Sequence, residues 1–157
     1  MFQALYNRKT ESLNGVWKYR IDQNDVGVRQ SYYLSNGEED VWKKIKVPHN
    51  WYLTEEIGDY FGTIWYTRKF KVPKEMKGKR VFLYFEGVDY ISEVWLNGTY
   101  LGFHEGMFNS FEYDITYCID WEGDNLLIVR DSAPKDTTEY IPADKMEDPM
   151  SEKHKVH

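Results

Sequence analysis

The strongest constraint on this chain is a side-chain period of two that returns again and again between turn signals. Trp17, Tyr19 and Ile21 alternate with Lys18, Arg20 and Asp22, the pattern of a strand with one buried face. In a second run Ile64, Tyr66, Phe70 and Val72 share one side, opposite Trp65, Thr67, Lys69 and Lys71; Arg68 interrupts the apolar side. Pro73 ends that run, since it has no N–H to give to a ladder. Val81-Phe82-Leu83-Tyr84-Phe85 is apolar throughout, which predicts a central strand covered on both faces. Asn97-Gly98 lies between Val94-Trp95-Leu96 and Thr99-Tyr100-Leu101. That pair favours a type I′ hairpin turn, whose two central residues both need positive φ. Further strands are expected at Phe111–Ile115 and at Leu126–Val129, the latter entered through Glu122-Gly123-Asp124-Asn125. Helical periodicity is missing, and Lys74 to Lys77 makes one turn at most. The fold class is therefore all-β, a sandwich or jelly roll.

A length of 157 residues fits one domain. Aromatic residues make up 17% of it, with 6 Trp and 13 Tyr, which is not a disordered composition. A net charge of -6 argues against a nonspecific nucleic-acid partner, which would need a basic face to displace counterions. Apolar runs fall short of the ~20 residues of a membrane span. Met1 to Thr10 has neither an apolar segment nor a small-residue cleavage site, so a cytoplasmic protein is expected.

Cys118 is the single cysteine, which leaves it without an internal disulfide partner; it reads as a small buried hydrophobe. His49 and His104 sit beside turns and read as structural or solvated, while His154 and His157 have no partner at ligand spacing. The spacing of His, Cys, Asp and Glu suggests no metal. With no phosphate-cradling glycine loop or nucleophile elbow either, no cofactor is expected. Asn97-Gly98-Thr99 also fits the glycosylation acceptor pattern, but the turn reading is favoured. From Ser132 onward Pro134, Pro142 and Pro149 punctuate a polar segment. The chain thus divides into a β-sandwich over residues 1–131 and a tail or incomplete closing segment over 132–157.

Four patches, in order, carry a family resemblance. They are Ser12-Leu13-Asn14-Gly15-Val16-Trp17-Lys18-Tyr19, Ile45-Lys46-Val47-Pro48-His49-Asn50-Trp51, and Gly62-Thr63-Ile64-Trp65-Tyr66-Thr67-Arg68-Lys69-Phe70-Lys71-Val72-Pro73. The fourth and strongest runs from Lys79 to Thr116 and holds Phe85-Glu86-Gly87-Val88, Val94-Trp95-Leu96-Asn97-Gly98 and Leu101-Gly102-Phe103-His104-Glu105-Gly106. Together, over about residues 12–131, they resemble the N-terminal sugar-binding domain of glycoside hydrolase family 2, the β-galactosidase and β-glucuronidase family. The layout is closer to the β-glucuronidases.

The resemblance implies a galactose-binding-like jelly roll. The Gly-Ile-x-Arg-type strand that usually follows is not found before His157, so a fragment of a longer enzyme, lacking its last strand, is expected. Retaining glycoside hydrolysis needs two carboxyls about 5–5.5 Å apart. In this family they belong to a barrel, and a barrel needs roughly 250 residues by itself. No catalytic residue is therefore assigned to this chain. The resemblance instead implies a domain that packs on the barrel and lends the sugar site a loop. That loop matches Trp51 to Phe61, with Asp59 and Tyr60 its polar candidates, and Trp51 and Phe61 its aromatic ones.

Aromatic walls with a few placed polar groups are common in sugar pockets. Trp51 also reads as core or interdomain packing, as Trp65 does, whereas Tyr60 and Phe61 flank Gly62 in a loop. The expected partners are a β-glycoside carbohydrate and the remaining domains of the parent glycosidase. A free-standing carbohydrate-binding module and a structural or oligomerisation domain are the alternatives.

Overall fold

A computed structural model describes residues 9–106 and 108–133. Among these residues eight strands run in chain order as β1 (Gly15–Asp22), β2 (Lys43–Val47), β3 (Gly62–Phe70), β4 (Phe82–Phe85), β5 (Ile91–Leu96), β6 (Thr99–Glu105), β7 (Phe111–Asp114) and β8 (Asn125–Ala133). Helical structure among the described residues is confined to three single 3-10 turns, at Tyr32–Leu34, Trp51–Leu53 and Lys74–Met76. All pairings are antiparallel, with a six-stranded sheet ordered β2-β1-β3-β8-β5-β6 and a two-stranded sheet β4-β7. The chain is an all-β sandwich.

The inner face of the large sheet carries Trp17, Tyr19, Ile64, Tyr66, Val94, Leu96, Leu127 and Val129. Its cover comes in two parts. Leu83 of β4 lies in this core with Phe85, Phe111 and Tyr113 packed against it, while Trp51 and Ile57 enter from the connection between β2 and β3. A loop therefore does the work of second-layer strands over part of the sheet.

Two expectations change here. Trp65 is buried, as its reading as core packing has it, but so is Thr67 on the same face, which the alternation made polar. The connection from β1 to β2 folds over the outer face, and Tyr32 and Trp42 close on Trp65, Trp95 and Ile128 to form a second core. β3 is thus covered on both sides. Conversely, β4 was expected to be central, yet Phe82 is 37% and Tyr84 60% exposed. Among the described residues it pairs with β7 alone, and those two side chains are on the outer side of that small sheet. Ser132 and Ala133, placed with the tail, are the last residues of β8; the rest of that tail lies outside the described residues.

The hairpin at Asn97-Gly98 forms as expected, with Leu96 opposite Thr99 and φ of 51° and 80° at the two turn residues. The Asn97 side chain does more than tolerate the turn. Its amide nitrogen donates to the Cys118 carbonyl at 2.7 Å and to Asn125 Oδ1 at 2.9 Å, and its Oδ1 accepts from the Leu126 N–H at 2.9 Å. These bonds tie the hairpin to the start of β8. Asn97→Ala removes all three and leaves alanine at positive φ, so urea unfolding should show a loss of about 2 kcal/mol.

Candidate functional site

The connection from β2 to β3 holds every site residue the sequence singled out. Pro48 follows β2 directly, and with no N–H it cannot extend the ladder. The chain then makes the 3-10 turn at Trp51–Leu53 and returns to the sheet at Gly62. Trp51 is 7% exposed and lies in the inner core. The edge of one ring meets the face of the other between Trp51 and Tyr60, with centroids 6.5 Å apart at 67°.

Tyr60 is braced in turn. Its hydroxyl accepts from the Thr63 N–H at 3.2 Å and donates to the Thr63 carbonyl at 3.3 Å. Burial raises its phenol above the ordinary tyrosine value. Gly62, at φ 145°, is required here, because a Cβ would run into the Tyr60 ring. Glu56 anchors the middle of the connection, accepting from Tyr19 Oη at 2.9 Å and Lys43 Nζ at 3.1 Å. Burial, with help from Glu56, pushes the Tyr19 phenol up to about 12.

Asp59 and Phe61 remain on the rim; Asp59 is exposed and Phe61 is 37% exposed. The four residues therefore divide into two pairs. Trp51 and Tyr60 are brought together as a support, and Asp59 and Phe61 face outward above it. His49, one residue beyond Pro48, is partly buried, with its ring 5.8 Å from that of Tyr66. Burial lowers its pKa from the usual histidine value.

Two features were not found from the sequence. A surface cleft of ≈ 450 Å³ opens where β2 stops pairing with β1 at Tyr19, beside Arg20, Gln23, Asn24, Tyr32 and Lys43. The Arg20 guanidinium lies 3.7 Å from the Tyr32 ring centroid and donates to the Tyr32 hydroxyl at 2.7 Å. That cation is already engaged. The second feature is a buried carboxyl, Asp131, on β8. Carrying the alternation of Leu127 and Val129 two residues further would have placed it on the inner face.

The family model for the sugar-binding domain of glycosyl hydrolases family 2 matches residues 10–146. A β-galactosidase of Thermoanaerobacter pseudethanolicus is 32% identical over 121 residues, covering 76% of this chain and 15% of that protein. A β-glucuronidase of Formosa agariphila is 30% identical over 135 residues, covering 78% of this chain and 13% of that protein. Among solved structures, a β-glucuronidase of Lactobacillus rhamnosus superposes with a TM-score of 0.70 at 29% identity, covering 78% of this chain and 21% of that one. The chain thus spans about one seventh of the length of the curated relatives it matches. A match over that much of the sequence, on a sandwich of the same shape, means that this chain belongs to glycosyl hydrolases family 2 as its sugar-binding domain.

Proposed function

We propose that this chain is the non-catalytic sugar-binding domain of a family 2 β-glycosidase. It packs on the catalytic barrel and presents the rim of its β2–β3 connection to the sugar. The observation that carries the reading is the division of that connection into a buried support and an outward rim on a family 2 domain. Asp59 offers carboxyl oxygens to sugar hydroxyls, and Phe61 offers an apolar ring face to a pyranose. Trp51 and Tyr60 hold the rim in place, since a site is useful only when its supports are fixed.

The test has two arms. The purified chain should leave chromogenic β-galactosides and β-glucuronides uncleaved; turnover at enzymatic speed would overturn the non-catalytic reading. In the complete glycosidase, Asp59→Ala with Phe61→Ala should raise KM about tenfold, equivalent to about 1.4 kcal/mol, with kcat little changed. An unchanged KM would remove the rim from the sugar site.

A further inference from the structure

A short ring closes the rim of the β2–β3 connection. Tyr60 reaches past Phe61 and Gly62, and its hydroxyl bonds both the N–H and the carbonyl of Thr63, at 3.2 and 3.3 Å. Phe61 therefore keeps its place while Thr63 keeps Tyr60. The backbone of Thr63 serves the rim, but its side chain belongs to the other side of the sheet. Thr63 lies two residues before Trp65, so both share the outer face of β3, and it is 3% exposed.

On that face the Thr63 hydroxyl donates to Asp25 Oδ1 at 3.2 Å. A carboxylate only accepts, so the Ser132 hydroxyl, 3.3 Å from Thr63 Oγ1, is the donor in that second bond. Asp25 lies just beyond β1 in the outer cover, with its N–H on the Asp22 carbonyl at 3.2 Å. The same Oδ1 accepts from Arg130 Nη2 at 2.7 Å, while Arg130 Nη1 donates to Glu93 Oε2 at 2.7 Å. Glu93 is the ladder partner of Arg130 on β5. Two carboxylates on separate tines of one planar fork fix the guanidinium in position and direction, which a single ammonium could not do.

Stability alone does not account for this arrangement. The Asp25 side chain is 61% exposed, and an ion pair open to water contributes little. Arg130 Nε is meanwhile buried with no hydrogen-bond partner, which is itself a cost. What the line provides is placement. It runs from Glu93 through Arg130 and Asp25 to Thr63 across the outer face, and at Thr63 it passes through the sheet to Tyr60.

We infer that Arg130 is a positioning residue for the sugar rim, acting from the far side of the sheet through Asp25 and Thr63 on Tyr60. That role rests on the proposed sugar rim at Asp59 and Phe61, whereas the mechanical link to Tyr60 does not.

Amide hydrogen exchange on the 15N-labelled chain reads the link directly, because the acceptor of the residue-63 N–H is the Tyr60 hydroxyl. Arg130→Met and Thr63→Val should each speed that exchange about tenfold, while Val94 and Leu127 stay within about twofold of the parent. Asp25→Gly breaks the same line at an exposed position whose φ of 51° suits glycine, and should give the same acceleration. Arg130→Met should add nothing in the Thr63→Val background, since the path is shared. Thr63→Ser keeps the hydroxyl and should match the parent. Equal acceleration at Val94 and Leu127, or additive effects in the double variant, would make Arg130 a stabilising residue and overturn the inference. In the complete glycosidase Thr63→Val should raise KM about threefold with kcat little changed, and Thr63→Ser should leave KM at the parent value. An unchanged KM in Thr63→Val, where Asp59→Ala with Phe61→Ala does raise it, would likewise overturn the positioning role. If neither changes KM, the rim reading falls and takes that role with it, and accelerated exchange would leave only the link itself.

Discussion

Asp131→Asn is expected to stabilise the isolated chain at pH 7 by about 1–3 kcal/mol, because the amide is neutral at every pH whereas the buried carboxyl must hold a proton to be so. Burial holds the Asp131 carboxyl well above the ordinary aspartate range, and the nearby Asp89 pushes in the same direction. In the unfolded chain an aspartate titrates near 3.9. Above about pH 4 the unfolded state therefore releases this proton while the folded state still holds it. Stability then falls as pH rises, by at most about 1.4 kcal/mol per pH unit, until the folded group also ionises. Asparagine has no such term, so the gap between variant and parent should be small at pH 3 and widen from about pH 4 upward.

Asp114 works in the opposite direction. Bonds from Thr116 and Arg80 lower its carboxyl to about 2, so its contribution is present above the unfolded aspartate value and fades as pH falls toward 2. Both proteins carry it, and the difference between their urea-unfolding curves cancels it. A variant no more stable than its parent from pH 5 to 8 would contradict the burial argument. A carboxyl that costs stability in the isolated domain is one whose retention points to function.

The pattern of residues made the fold legible where one face decided each strand. Trp17 and Tyr19, Val94 and Leu96, and the Asn97-Gly98 turn all lie where alternation and positive φ put them. Reading was harder where a loop stands in for a strand. Trp65 reads as packing, but nothing in the stretch from Gln23 to Trp42 announces that it is the element that closes over it, so Thr67 on the same face looked exposed. For the same reason Val81 to Phe85 looked central; hydrophobicity alone does not say how many neighbours a strand will have.

At the candidate site the sequence already read Trp51 as packing and Phe61 as a loop residue, and the structure agrees. It did not separate Tyr60 from Phe61: both flank Gly62, but Tyr60 turns back onto Trp51 and Thr63 while Phe61 stays outside. Asp131 was hidden because its neighbours Arg130 and Ser132 make a polar run that reads as the end of a strand.

Asp22→Ala should cause the largest loss, about 3–5 kcal/mol, because three donors meet at that one carboxyl. Oδ1 accepts from the Val26 N–H at 2.9 Å, while Oδ2 accepts from the Gly27 N–H at 2.8 Å and Trp65 Nε1–H at 3.0 Å. Asp22 ends β1 and is buried, so alanine would leave these N–H groups without an acceptor, each at about 1–3 kcal/mol. The bonds also fasten the outer cover to the sheet. Gly27 sits so close to the Trp65 ring that no side chain fits there. Beyond it Tyr32 meets Trp65 edge-on at 5.7 Å, Tyr33 stacks on Trp95 at 5.4 Å, and the two tryptophans lie 5.3 Å apart. Freeing the cover should therefore change near-ultraviolet circular dichroism from the Trp65–Trp95 pair and shift tryptophan emission to the red. Far-ultraviolet signal from the sheet should persist below the new midpoint, since the inner core of Ile64, Val94, Leu127 and Val129 is untouched. Asp22→Asn keeps the shape and one acceptor oxygen, so it should lose less. A loss under about 1 kcal/mol in Asp22→Ala, or an unchanged near-ultraviolet spectrum, would mean that aromatic packing alone holds the cover in place.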